Sequence, residues 1–376
     1  MASGNTPDVG RPVTAPDFLL SRPTGSLRTQ GVLQTFTDPA DAALALRSGA
    51  CGLVVGAIGF EPDTPAALTE PELVVRTDGP LEPPAYFRGI RTRARVVEEI
   101  PSPAEHRARV STALTAINAG GVGKVVLARA VRLESDEPID PHAVCATLID
   151  SSSHADGFLV DLSPAGDHCA GRVLVGSSPE LLVRRRGDVV ECHPLAGSAP
   201  RDADPTVDQA SARALRDSGK DAFEHAFVVN SIAEALGPLC GELEIPARPS
   251  LTSTREMWHL GTRIRGRIAD RRTTALDLAL AVHPTPAVCG TPTDEARRLI
   301  AAIEGPRGFY AGTVGWADAS GNGDWMVSIR CAEIDAGRTG AVAWAGGGIV
   351  ADSDPDDEVA ETGAKLRTVL KAFNVS

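Results

Sequence analysis

Near its carboxyl end the chain runs Val342-Ala343-Trp344-Ala345-Gly346-Gly347-Gly348 and then, a few residues on, Ser353-Asp354-Pro355-Asp356-Asp357. The first segment reads as a buried strand entering a triple glycine, where the backbone can approach a ligand closely and offer N–H groups to an anion. The second announces a helix from near Pro355, with a capping side chain, a proline suited to the first turn and acids favoured by the helix dipole. Glu358, Glu361 and Lys365 then fall at i, i+3 and i+7 on one helical face. Alone, that face would be a solvated acidic surface with a Glu-Lys pair. Its position just after the glycines favours a site.

A strand followed directly by such a helix calls for a mixed architecture, and the rest of the sequence agrees. Up to about Arg95, short apolar runs such as Cys51 to Gly56 alternate with proline-rich turns, which predicts a strand-rich first portion. Glu105 to Ala119 reads as an amphipathic helix ended by Gly120-Gly121, and Lys124 to Val131 as a strand with Lys124 at its mouth. Asp208 to Leu239 has helical spacing and ends in Gly237-Pro238. Val314 to Trp316 and Trp325 to Ile329 suggest two strands joined by a Gly/Asn/Asp turn. Hairpins among helices favour an α+β fold over a strict βαβ repeat. Residues 1–16, rich in Pro, Gly, Ser and Thr, read as a disordered arm, and 17–376 as a single domain with a variable part over 17–95 and a motif-bearing part over 96–376.

Composition excludes several classes. A formal charge of −12 argues against nucleic acid, so an anionic ligand would need a locally positive pocket. The most apolar stretch, around Ala42 to Phe60, is broken by Arg47 and glycines and is no membrane span. Seven scattered cysteines without a CxxC pair point to reduced thiols in a cytosolic protein, most of them small core residues.

Four dissimilar segments, in order, carry the chemistry: Lys124-Val125-Val126-Leu127-Ala128-Arg129, Ser178-Pro179-Glu180-Leu181-Leu182, Lys220-Asp221-Ala222-Phe223-Glu224-His225, and Glu358-Val359-Ala360-Glu361 with Lys365. They supply a candidate base, a candidate acid and several carboxylates. Gly120 to Lys124 imitates a phosphate loop, but Val125 stands where Ser or Thr is needed and a helix precedes it. Asp318 to Gly323 imitates a calcium loop, yet Ile329 occupies the position of the bidentate Glu. Glu224-His225 lacks the second histidine of a zinc helix. A site of Glu224 and Glu361, completed by water and substrate oxygens, suits Mg²⁺.

With Pro194 to Arg201, Trp258-His259-Leu260, His283 to Gly290 and Ser328 to Glu333, these segments resemble the chorismate-utilising enzymes, and within them the isochorismate synthases of siderophore and menaquinone pathways. The resemblance runs from about Lys124 to Phe373 and is loose before residue 95. It implies an α/β sandwich in which large antiparallel sheets pack inside a layer of helices. The implied substrate is chorismate, to which water adds at C2 while the C4 hydroxyl departs, giving isochorismate.

By the same resemblance Lys124 is the general base and Glu180 the general acid. Glu224 and Glu361 are magnesium ligands, with Asp221 and Glu358 assisting through water. Tyr310, Arg330, Gly347 and Lys365 meet the substrate carboxylates, His259 lies at the ring, and Gly197, Ser198, Ala287 and Val288 shape the pocket. Pro286-Ala287-Val288 favours water as nucleophile. The chemistry fits: a basic lysine must be partly neutral, an acidic glutamate must hold its proton, and arginine grips a carboxylate bidentately. A cytoplasmic monomer with no nucleic-acid or membrane partner is expected. A salicylate synthase, which goes on to eliminate pyruvate, and a non-catalytic, magnesium-dependent dicarboxylate binder are the alternatives; retention of both Lys124 and Glu180 speaks against the second.

Overall fold

The computed structural model describes residues 15–90 and 92–375. The predicted arm lies almost wholly outside the described residues.

Two large antiparallel sheets form the frame. The first orders its strands Gly290–Thr291, Lys124–Glu134, Gly340–Ile349, Cys331–Ile334, Val173–Gly176, Gly157–Asp161, Phe18–Arg22, Gly25–Gln30 and Leu73–Thr77, with Arg95–Ile100 also pairing Lys124–Glu134. The second runs from Cys240–Glu244 through Ile264–Ile268, Val189–His193, Leu181–Arg186, Gly323–Val327, Thr313–Asp318, Leu53–Ile58 and Ala67–Glu70 to Gln34–Phe36. A small third sheet joins Leu195–Pro200, Met257–Gly261 and Ser250–Ser253. Every sheet pairing is antiparallel, which suits strands linked by hairpins and confirms α+β.

One apolar core lies between the two large sheets and under several helices, with Leu127, Phe158, Val183, Leu276 and Trp325 among its buried side chains. A second fills the outer face of the first sheet, where Leu133, Val175 and Ala343 meet Leu148 of helix Pro141–Ser151 and Val369 and Phe373 at helix Pro355–Ala372. Sheets inside helices are the predicted layering. All seven cysteines are free and buried, as expected of small core residues.

The helix predicted over 105–119 spans Pro103–Asn118 and starts with a capping box, in which Ser102 accepts from Glu105 N and the Glu105 side chain accepts from Ser102 N; such a cap contributes about 1 kcal/mol. The stretch predicted as one helix over 208–239 is two, Pro205–Asp217 and Gly219–Leu236. Ser218 breaks it: in an extended conformation its hydroxyl accepts from Asp221 N and caps the second helix. The Asp318–Asn322 segment is a hairpin turn, closed by Gly321 N to Asp318 O and Asn322 N to the Asp318 side chain. The described helices include none long and apolar enough to cross a membrane.

Candidate active site

The strand Lys124–Glu134 lies between the Gly290–Thr291 strand and Gly340–Ile349. Lys124, its first residue, is fully buried, and its ammonium makes a 2.9 Å ion pair with Glu224 Oε1 from helix Gly219–Leu236. Gly348 pairs with Val126 on the adjacent strand, and a Cβ there would lie 2.0 Å from Glu224 Oε1 and 3.0 Å from Lys124 Cε. The pair exists because position 348 has no side chain. Ala128 to Gly346 and Leu127 to Gly347 continue the same register, so the glycines extend the strand and do not form a separate loop.

Gly346 and Gly348 face a cavity that Glu224, Glu361 and Lys365 also line. Gly347 points the other way, toward Glu358, whose Oε2 a Cβ would approach to 2.7 Å. Strand alternation thus sets neighbouring glycines on opposite faces. Any contact of Gly347 with a ligand would have to come from its backbone, and Gly347 is not on the cavity wall.

The acidic side is built from two helices. Glu361 Oε1 is held by Ser198 Oγ at 2.8 Å and Lys365 Nζ at 2.5 Å, and Lys365 also donates to Gly346 O at 2.8 Å. Burial pushes the Glu361 carboxyl up, but Lys365 and Ser198 outweigh it and hold the group below the usual carboxylate range. Glu358 Oε1 pairs with Lys220 at 3.4 Å, while its Oε2 is buried without a hydrogen-bond partner. Burial and then the charge of Glu361 push Glu358 up to about 7. Asp221, packed against Gly197 (φ +79), is raised by burial and by Glu224 and Glu361. Gly197 is required here: a Cβ in this left-handed conformation would be strained and 2.9 Å from Asp221 Cβ.

Mutually repelling carboxylates, one with an unpartnered buried oxygen, fit a hard cation. Among the described residues no three His, Cys, Asp or Glu side chains form a ready metal cage. Glu224 and Glu361 on the wall, with Glu358 and Asp221 behind, match an ion that keeps part of its coordination for water and ligand oxygens.

Glu180, Arg330, Tyr310 and His259 line the same cavity, and His259 pairs across the small sheet with Ser198, the residue that holds Glu361. Glu180, at the mouth of strand Leu181–Arg186, is raised to about 7 by burial, despite the N–H of Leu195 and the nearby Lys124, Lys365 and Arg330 charges that pull it down. Arg330 is buried in a left-handed conformation (φ 52), a strain that residues at functional sites often carry. Among the described residues its Nη1 reaches a hydroxyl, Thr368 Oγ1, at 3.4 Å, leaving the guanidinium able to receive an anion. Tyr310 stacks on Trp344 with ring centroids 5.8 Å apart. Burial, reinforced by Arg330 and Lys365, drives His259 well below the usual histidine range, so it is a neutral ring here. Ala287 and Val288 close one side, with Ala287 N donating to Thr285 Oγ1.

A cavity with a cation-ready acidic side, the positive charges of Arg330 and Lys365 and a carboxyl raised to about 7 accommodates a small polyanion. The family model described as "Chorismate binding enzyme" matches residues 86–374. The chain belongs to the chorismate-binding enzymes. Among this family's members it is 49% identical over 362 residues to MenF of Mycobacterium tuberculosis, covering 96% of each chain. It is 45% identical over 325 residues to the isochorismate synthase DhbC of Bacillus subtilis, covering 86% of this chain and 81% of that one. The crystal structure of DhbC from Bacillus anthracis superposes with a TM-score of 0.87 at 35% identity, covering 96% of both.

Against this chorismate-binding frame, sequence reasoning missed two features. Lys220, seen only as part of a segment, is the counter-ion of Glu358. Gly348 shapes the site beside Glu224, as Gly347 does beside Glu358; the alternation of a strand through the triple glycine was the signal that could have found it. Lys124 reaches the site beside Gly348 and through its ion pair with Glu224, both of which line the cavity.

Proposed function

We propose that this chain is an isochorismate synthase, isomerising chorismate to isochorismate by adding water at C2 as the C4 hydroxyl leaves. The observation that carries this reading is that one cavity brings together Glu180, a buried carboxyl raised to about 7 within reach of the Lys124 charge, and Glu224, the ion-pair partner of that buried lysine. A binding protein needs neither a buried lysine nor a protonated acid, whereas a hydroxyl exchange needs a base for one oxygen and an acid for the other.

Arg330 and Lys365 hold the substrate carboxylates, with Tyr310 closing over them, and the neutral His259 ring lies beside the substrate ring. Lys124 takes the proton of the attacking water, and Glu180 gives one to the departing C4 hydroxyl. Ala287 leaves room for that water, and Val288 backs it. Glu224 and Glu361 would hold Mg²⁺, with Glu358 and Asp221 acting through water; bound there, the ion supplies charge stabilisation and orientation to the ring carboxylate. The product would serve siderophore, salicylate or menaquinone formation.

Incubating the protein with chorismate and Mg²⁺ and separating the products tests the reading. Isochorismate alone supports it. Salicylate with pyruvate as main products would make it a salicylate synthase, and tight chorismate binding without turnover would make it a binder.

A further inference from the structure

Behind the cavity wall lies a buried ion pair that none of the steps above uses. Arg307, only 5% exposed, directs Nε and Nη2 to the two oxygens of Glu304, each at 2.9 Å. Its remaining reach is spent on two backbone carbonyls: Nη1 donates to Val288 O at 2.8 Å and Nη2 to Val126 O at 2.7 Å. Glu304 Oε1 also accepts from Ala128 N at 2.6 Å. The guanidinium lies 4.6 Å from the centre of the Phe60 ring, and Glu61 accepts from the backbone N–H of Arg307 and of Gly308.

The two carbonyls belong to the two sides of the nucleophile's end of the cavity. Val126 is on the strand of Lys124, and Val288 is beside Ala287; all three of Val126, Ala287 and Val288 line the cavity. Ladder contacts join strand and loop at Thr291 with Lys124, Gly290 with Val125, and Val126 N with Cys289 O. Beyond Cys289 the loop turns away, with Val288 N and Cys289 N both donating to Thr285 O. There Arg307 carries the connection onward, bridging Val126 to Val288.

A buried charge pair is poor evidence of stabilisation, because well-packed apolar residues often do as well or better. What the pair does provide is direction. A planar fork that satisfies one carboxylate and two carbonyls at once fixes their relative places, which a lysine's point charge cannot do. We infer that Arg307, oriented by Glu304, is a positioning residue that fixes the Ala287–Val288 loop against the Lys124 strand and so sets where the attacking water sits. This rests on the proposed isochorismate synthase activity and adds a determinant of its fidelity.

If the water is misplaced, addition slows while bound isochorismate can still break down. The ring C–O bond to the enolpyruvyl group breaks, the hydrogen on the hydroxyl-bearing ring carbon moves to the side-chain methylene, and salicylate and pyruvate form without a co-reactant. The test compares the wild type, Arg307→Lys, Glu304→Gln and the double variant with chorismate and Mg²⁺, measuring kcat, KM and the ratio of pyruvate to isochorismate. Glu304→Gln keeps an acceptor for Ala128 N–H and keeps Arg307, so it decides alone should Arg307→Lys fail to fold. Each single variant is expected to lose about 10- to 100-fold in kcat with little change in KM and to raise the pyruvate ratio. The double variant should be no worse than the poorer single one, because both break the same unit. Wild-type kcat, a loss expressed in KM with an unchanged product ratio, or additive losses would overturn the inference. A wild type that makes no isochorismate would overturn the proposed function and this inference together, an outcome the parallel wild-type reaction separates from the others.

Discussion

The ammonium of Lys124 is 2.9 Å from Glu224 Oε1, and the missing side chain of Gly348 is what leaves room for that pair. Lysine, carboxylate and glycine come from three distant parts of the chain. Their meeting gives the triple glycine a steric purpose.

Replacing Gly348 by Ala should therefore separate fold from activity. The added Cβ would press on Glu224 Oε1 at 2.0 Å and Lys124 Cε at 3.0 Å, displacing both groups from their places. Misplacement on the order of 1 Å costs roughly 100-fold in rate. We expect kcat to fall by at least that much while circular dichroism stays that of the wild type; near-normal turnover would refute the role given to the gap.

Much of this site was legible in the sequence because its signals are local. The acids after Pro355, the strand opening at Lys124 and the segment around Glu180 each sit on an element whose start is marked by a cap, a glycine or a proline. What was not legible depends on direction and distance. A triple glycine does not say which member faces which carboxylate until strand alternation is fixed, and so the role of Gly348 beside Glu224 was not visible. Periodicity carried a single helix through 208–239 because Ser218 interrupts it by a side-chain cap and not by an apolar break. The Arg307–Glu304 pair is i, i+3 in sequence, yet its meaning lies in two carbonyls remote from it.

Glu180 gives a pH prediction. Its folded-state value, about 7, lies above the ordinary 4.5, so between these the folded chain holds a proton that the unfolded chain has released. Stability should fall as pH rises across that window, by roughly 3 kcal/mol for this group, and be restored by acid. Activity that needs the protonated acid should likewise decline above about pH 7. Glu180→Gln should abolish turnover and, compared with the wild type, raise the melting temperature at pH 8 far more than at pH 4. Equal shifts at both pH values would contradict this assignment.

Lys124→Ala should remove water addition while chorismate binding, followed by calorimetry, remains measurable. The base acts on the nucleophile and the carboxylate grips lie elsewhere, so kcat should collapse with KM little affected. Because Glu224 would lose its partner in a buried setting, a drop in stability of roughly 3 kcal/mol is also expected.

The carboxylate cluster predicts a cation that binds independently of turnover. Mg²⁺ should raise the melting temperature of the wild type, by an amount equivalent to about 2.7 kcal/mol at a hundred times Kd, and chelation should reverse both this shift and activity. Glu361→Gln should lose most of the shift. Full activity after exhaustive chelation would remove magnesium from the account.

The central claim is that solvent water enters at C2 as the C4 hydroxyl leaves. Turnover in ¹⁸O-enriched water, stopped at low conversion and read by mass spectrometry, tests it most directly. The account predicts isochorismate carrying one ¹⁸O in its ring hydroxyl; isochorismate without label would mean that the original hydroxyl migrated, and would contradict it.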